Sequence, residues 1–96
     1  MLLFGLLACL EYEEGRAQEG ELACQLREAC DALEVVGYET VEECIADATG
    51  QDWADCKGYR EAQMQECLEV WTAAVDSVDC GLTTASPPVC AQVCPV

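Results

Sequence analysis

Eight cysteines fall between residues 24 and 94, separated by 5, 13, 11, 10, 12, 9 and 3 residues, and a ninth stands at position 9. Nothing else in this 96-residue chain constrains its fold as strongly. A domain this small buries only about 60–65 % of the surface its unfolded chain exposes, which leaves a marginal core. Nineteen acidic residues against four basic ones give a net charge of −15, so self-repulsion also opposes compaction. Disulfides are the device that small exported domains use to offset such a deficit, each contributing roughly 2–4 kcal/mol. The cysteines therefore predict both a stapled scaffold and an oxidising compartment.

The same composition excludes several function classes. A phosphate-binding surface needs clustered Lys and Arg, and only Arg16, Arg27, Lys57 and Arg60 are available, so a nucleic-acid partner is not expected. With no histidine there is no imidazole base and no His-containing metal site. No spacing among the carboxylates singles out an acid–base pair, and the acids of 47–55 do not fall at calcium-loop positions. An enzyme is not expected, and neither is a cofactor.

Residues 1–10 form an uncharged apolar run, MLLFGLLACL. It is shorter than the roughly 20 residues of a membrane-spanning helix and matches the apolar core of an export signal. Its end, Leu6-Leu7-Ala8-Cys9, resembles the bacterial lipobox. That resemblance implies a diacylglycerol on the Cys9 sulfur, cleavage just before it, and a membrane partner reached through the lipid. Removing Cys9 from an odd count leaves eight cysteines, a set that can pair completely. The segment 10–21, with five acids and two glycines, reads as a polar spacer behind the anchor. The chain thus divides into a signal segment (1–8), an anchor and acidic tether (9–21) and a disulfide-rich domain (22–96).

From Leu22 the periodicity is helical. Leu22, Leu26, Ala29, Cys30 and Leu33 make one apolar stripe, expected to end at Gly37. Thr40 and Glu43 are spaced as a capping box before a second stripe, Val41, Cys44, Ile45 and Ala48, stopped by Gly50. Asp52 is placed to cap a third helix, with Asp55 in its first turn. Met64, Cys67, Leu68, Trp71, Ala74, Val75 and Val78 carry that helix to Gly81. Ser86 before Pro87-Pro88 predicts a short helix over 87–94. No charge occurs in 81–96, so this tail is expected to dock through Cys90 and Cys94. The fold class is all-α, an antiparallel bundle of three helices with a short C-terminal helix.

Heights along such a bundle pair Cys30 with Cys44 and Cys24 with Cys56. They leave Cys67 and Cys80 to pair with Cys94 and Cys90, respectively, among 105 possible connectivities. The competing use of eight thiols is a periplasmic copper or zinc site. Zinc ligands usually arrive as C-x2-C pairs, which are absent here. Trp53 and Trp71 are candidates to line a groove, with Trp71 on the main stripe and so expected in the core. Plant lipid-transfer proteins and fungal haem-acquiring surface domains also carry eight cysteines, but this chain lacks their spacings. As a whole it resembles the small, acidic, cysteine-rich lipoproteins of myxobacteria. That likeness implies anchoring in the bacterial envelope; with no catalytic pattern in the chain, the expected function is a non-catalytic structural or interaction module exported to the bacterial outer membrane, periplasm or cell surface.

Overall fold

The computed structural model describes residues 10–95; the signal segment and Cys9 lie outside the described residues. Three α-helices follow one another: α1 (Tyr12–Ala29), α2 (Val41–Thr49) and α3 (Glu61–Ser77). Three short 3-10 turns, Glu34–Val36, Cys80–Thr83 and Pro88–Gln92, shape the connections and the tail. The protein is all-α, and no strand occurs among the described residues. No helix among them is long and apolar enough to cross a membrane.

The first helix is the axis of the molecule, since both other helices and the Cys80–Thr83 turn pack against it. It begins ten residues earlier than the stripe from Leu22 indicates, and the segment expected as an acidic tether forms its first half. Acidity conceals a second pattern there. Tyr12, Gly15, Glu19, Leu22, Ala23 and Leu26 recur at three- and four-residue spacing on one face, while Glu13, Glu14 and Glu21 point to solvent. Glu13 and Glu14 also sit in the first turn, where the helix dipole favours negative charge. At its other end α1 stops at Ala29, with Asp31 in the left-handed region. Gly37 ends the Glu34–Val36 turn instead, at φ 91°.

Thr40 caps α2 as expected, its hydroxyl accepting from the Glu43 N–H at 3.1 Å. The Glu43 carboxylate accepts from the Glu39 N–H rather than from Thr40, so the reciprocal bond is displaced by one residue. Asp52 and Asp55 cap nothing: residues 51–56 are irregular, and α3 starts only at Glu61. Its last turn closes at Val78, which takes a left-handed φ of 52° three residues before Gly81. Ser86 likewise is not a cap, because Pro87 precedes the 3-10 turn without a side-chain hydrogen bond.

Packing fixes the directions. Gly20 meets Ala48 and Cys24 bonds Cys44, so α2 runs antiparallel to α1. Gly15 meets Met64 and Cys30 bonds Cys80, so α3 runs back alongside α1 in the same sense. From Cys80 the tail returns along α3, with Cys90 bonded to Cys67, Cys94 to Cys56, and the Arg60 N–H donating to the Val93 carbonyl at 3.0 Å. Leu26, Met64, Cys67, Trp71, Cys90 and Val93 are buried together in the core between α1, α3 and this strap.

The observed bonds are thus Cys24–Cys44, Cys30–Cys80, Cys56–Cys94 and Cys67–Cys90, with Cα separations of 4.9–5.9 Å. They replace the pairing Cys24–Cys56, Cys30–Cys44, Cys67–Cys94 and Cys80–Cys90 throughout. The reason is helix position. Once α1 ends at Ala29 and residues 30–40 form the turn, Cys44 lies level with Cys24, and Cys30 at the end of α1 faces the end of the parallel α3. Cys56 lies outside α3, near its start, where the returning tail brings Cys94.

Close packing between α1 and its neighbours depends on two glycines. A Cβ at Gly20 would stand 2.7 Å from the Ala48 Cβ, which cannot move without shifting the α2 backbone. At Gly15 the obstacle, also 2.6–2.7 Å away, is the flexible Met64 side chain. Gly20→Ala should therefore lower stability by about 1–2 kcal/mol, overpacking outweighing the helix-propensity gain of about 1 kcal/mol. Gly15→Ala should cost less. Denaturant unfolding of the two oxidised variants measures the difference, and equal effects would refute this packing account.

Candidate functional site

Residues 51–60 cross the start of α1, and their aromatic side chains decide what surrounds it. Trp53 meets the Tyr12 ring edge-on, with centroids 6.1 Å apart, and Tyr59 packs at a tilt against the same ring at 5.6 Å. The Arg16 guanidinium lies against both Tyr12 and Trp53, its carbon 5.2 and 5.5 Å from the ring centres. Such contacts contribute roughly 0.5–2 kcal/mol each, depending on desolvation. Arg16 also donates to Glu19 at 2.7 Å, the one ion pair among the described residues. Burial pulls its pKa down, Tyr12 and Glu19 raise it by more, and the guanidinium stays charged.

From this cluster a groove of about 490 Å³ runs along α1. Arg16, Gly20, Ala23 and Arg27 form one side of it, at successive spacings of 4, 3 and 4 residues. Eleven residues make about three helical turns, so both arginines share this face about 16 Å apart along the axis. Gln51 and Trp53 from the irregular segment, Trp71 from α3, and Ser86 and Cys90 from the tail line the rest of it. Trp71 is largely buried, as the stripe predicts, and its Nε1 donates to Glu19 at 3.4 Å. Glu19 therefore serves Arg16 and Trp71 together. Three donors near the groove lack a partner among the described residues: Arg16 Nε, Arg27 Nε and Trp53 Nε1. Past Arg27, a second hollow of about 330 Å³ is bounded by Val35, Val36, Leu82 and Ser86.

On the far side of Trp53 the character reverses. A hollow of about 550 Å³ is lined by Glu11, Glu13 and Glu14 with no cation. A smaller one is lined by Glu11, Glu13 and Asp55. Trp53 thus divides an acidic end of the molecule from the groove that holds two of its four basic residues.

The cysteines are gathered for structure. Cys24, Cys30, Cys44, Cys56, Cys67, Cys80, Cys90 and Cys94 are all consumed in disulfides. The tightest grouping of metal-type ligand atoms among the described residues is Glu19, Cys67 and Cys90, within 4.8 Å of one another. Its two sulfurs are bonded to each other and have no thiolate to offer. Sequence reasoning missed Arg16 and Arg27, although their spacing carries the signal as soon as α1 is extended to Tyr12.

The N-terminal end of the described chain is pinned. The Leu10 N–H donates to Glu61 at 2.6 Å, and the Tyr59 hydroxyl donates to the Leu10 carbonyl. Burial holds the Tyr59 phenol above its usual value near 10, Glu61 and Glu14 add to the rise, and Arg16 opposes it. The folded form therefore retains the phenol proton longer than the unfolded chain. Its stabilising share is whole below pH 10 and disappears as pH climbs through the folded value. Tyr59→Phe should cost about 1 kcal/mol at neutral pH, through the lost hydrogen bond. Its stability should fall less steeply than that of the parent above pH 10, so the two curves converge there; parallel curves would show that Tyr59 does not titrate with folding.

No protein-family model, curated protein or solved structure matches this chain, so its site stands on its own geometry.

Proposed function

We propose that this protein is a non-catalytic, exported binding module, held in the bacterial envelope by a lipid on Cys9. The observation that carries this reading is the use of all eight cysteines of residues 24–94 as staples of a scaffold that leaves a groove open along α1. Bonds of this number belong to an oxidising compartment. They also leave those sulfurs neither nucleophilic nor metal-binding, so the surface left for function is the groove and the acidic end. Leu10, the residue after the proposed anchor, is clamped by Glu61 and Tyr59. With the expected spacer folded into α1, a lipid on Cys9 would seat the domain directly on the membrane, its α1 and α3 starts towards the bilayer.

Two measurements test the proposal. Expressed with a functional signal in a bacterial host, the protein should partition into detergent, and Cys9→Ser should release it to the aqueous phase. Identical partitioning of the two forms would remove the anchor from the reading.

The second measurement concerns the staples. The exported domain should have no free thiol among residues 24–94 and a mass about 8 Da below its reduced form, two protons for each of four bonds. Loops of 20, 50, 38 and 23 residues correspond to about 3–4 kcal/mol per bond in the chain-entropy account. Together this is of the order of a domain's whole stability of about 5–15 kcal/mol, so reduction should abolish the helical circular dichroism. Helicity that survives reductant but collapses with a chelator would instead establish a periplasmic copper- or zinc-binding thiol protein.

A further inference from the structure

Arg27 is the least explained charge in the molecule. In a chain with 19 acidic residues its side chain forms no ion pair and no hydrogen bond among the described residues, although it is partly buried. Its Nε is buried without an acceptor. An unpartnered buried donor is destabilising, the more so on a charged group, and a neighbouring glutamate would have been an easy remedy. The surroundings point the same way. The groove holds two arginines and one glutamate, whereas the hollows beyond Trp53 hold three carboxylates each and no cation. Arg27, Trp71 and Ser86 border both the groove and the second hollow, so the unpaired guanidinium stands where the two join. Beside it are exposed apolar side chains, Val35 at 75 % and Val36 at 40 % exposure.

We propose that this groove, together with the second hollow that meets it at Arg27, binds a small organic anion, its carboxylate on Arg27 and its apolar body against Trp71 and, in the second hollow, the Val35–Val36 turn. The volume of about 490 Å³ lies in the range of small-molecule sites. A guanidinium receives a planar carboxylate through two parallel N–H bonds, and the Ser86 hydroxyl is available beside it. Glu19 is already satisfied by Arg16 and Trp71, which leaves Arg27 as the free cation of the groove. The inference rests on the binding-module reading but not on the lipid anchor. The Cys9→Ser chain must therefore give the same result as the parent, and failure of one test leaves the other standing.

Both tryptophans of the chain line the groove, so its occupancy can be read from their fluorescence. The oxidised full-length chain is titrated with cyclohexanecarboxylate, cyclohexanemethanol and cyclohexylmethylammonium, three probes of one body and different charge. Salt near 0.15 M shortens the reach of the surrounding negative field to about 8 Å. The carboxylate should bind at least about tenfold more tightly than the ammonium, the size of one charged hydrogen-bonded contact. Arg27→Gln should abolish that preference, Arg27→Lys should retain part of it, and Lys57→Gln, outside the groove, should change nothing. Unaltered circular dichroism and an unaltered oxidised mass establish that each variant is folded. Equal or tighter binding of the ammonium, an undiminished preference in Arg27→Gln, or no binding of any probe would overturn the proposal.

Discussion

Covalent cross-linking carries the burden that a larger core would otherwise carry. The buried set is short and consists largely of small side chains, with Leu26, Met64, Trp71 and Val93 supplying most of its bulk. Against it stand 15 uncompensated negative charges. The disulfides counter this by their linkage pattern as well as their number. Cys30–Cys80 interleaves with each of the other three bonds, and Cys67–Cys90 lies inside the loop closed by Cys56–Cys94. No helix can separate from α1, and the tail cannot leave α3, without straining a closed loop.

That scaffold allows α1 to bear features that a self-sufficient helix would avoid. Gly15 and Gly20 lower its intrinsic propensity, yet they let α3 and α2 approach closely on two sides. Between those contacts the helix displays Arg16 and Arg27 on the face left open as the groove. Acids dominate the rest of the surface, and the groove holds a single glutamate because helical spacing turns the other acids of α1 to different faces. Glu13, Glu14 and Glu21 face solvent, and Glu19 is held by Arg16 and the Trp71 indole. The contrast between the acidic hollows and the arginine-bearing groove follows from where one irregular segment lays the Trp53 indole, which lines all three.

Much of this is written in the sequence, because it depends on local periodicity and count. The helical stripes, the cap by Thr40, the burial of Trp71 and the docking of an uncharged tail follow from residue spacing and from the exclusion of apolar groups from water. An even set of cysteines in an acidic domain of this size calls for staples, and all eight are bonded. The starts and stops of helices were less legible. A run of glutamates resembles a solvated spacer until the face beneath it, from Tyr12 to Leu26, has something to pack on. Left-handed conformations at Asp31 and Val78 end helices where sequence places no glycine.

Which cysteines meet was decided only in three dimensions. A shift of a helix end by a few residues moves a sulfur by several ångströms along the axis, and a disulfide tolerates little more than an ångström of misplacement. Connectivity therefore magnifies every boundary error, and it turned on α1 spanning Tyr12–Ala29 and on the tail doubling back along α3. The groove has the same origin: Arg16 and Arg27 belong to one helix, but Trp53, Trp71 and Ser86 reach them from three other segments. Sequence alone determined the helices, the oxidised scaffold and the acidic surface, since these arise from neighbours in the chain and from composition. Tertiary structure decided the pairing and the binding face, because both depend on distances between residues far apart in sequence.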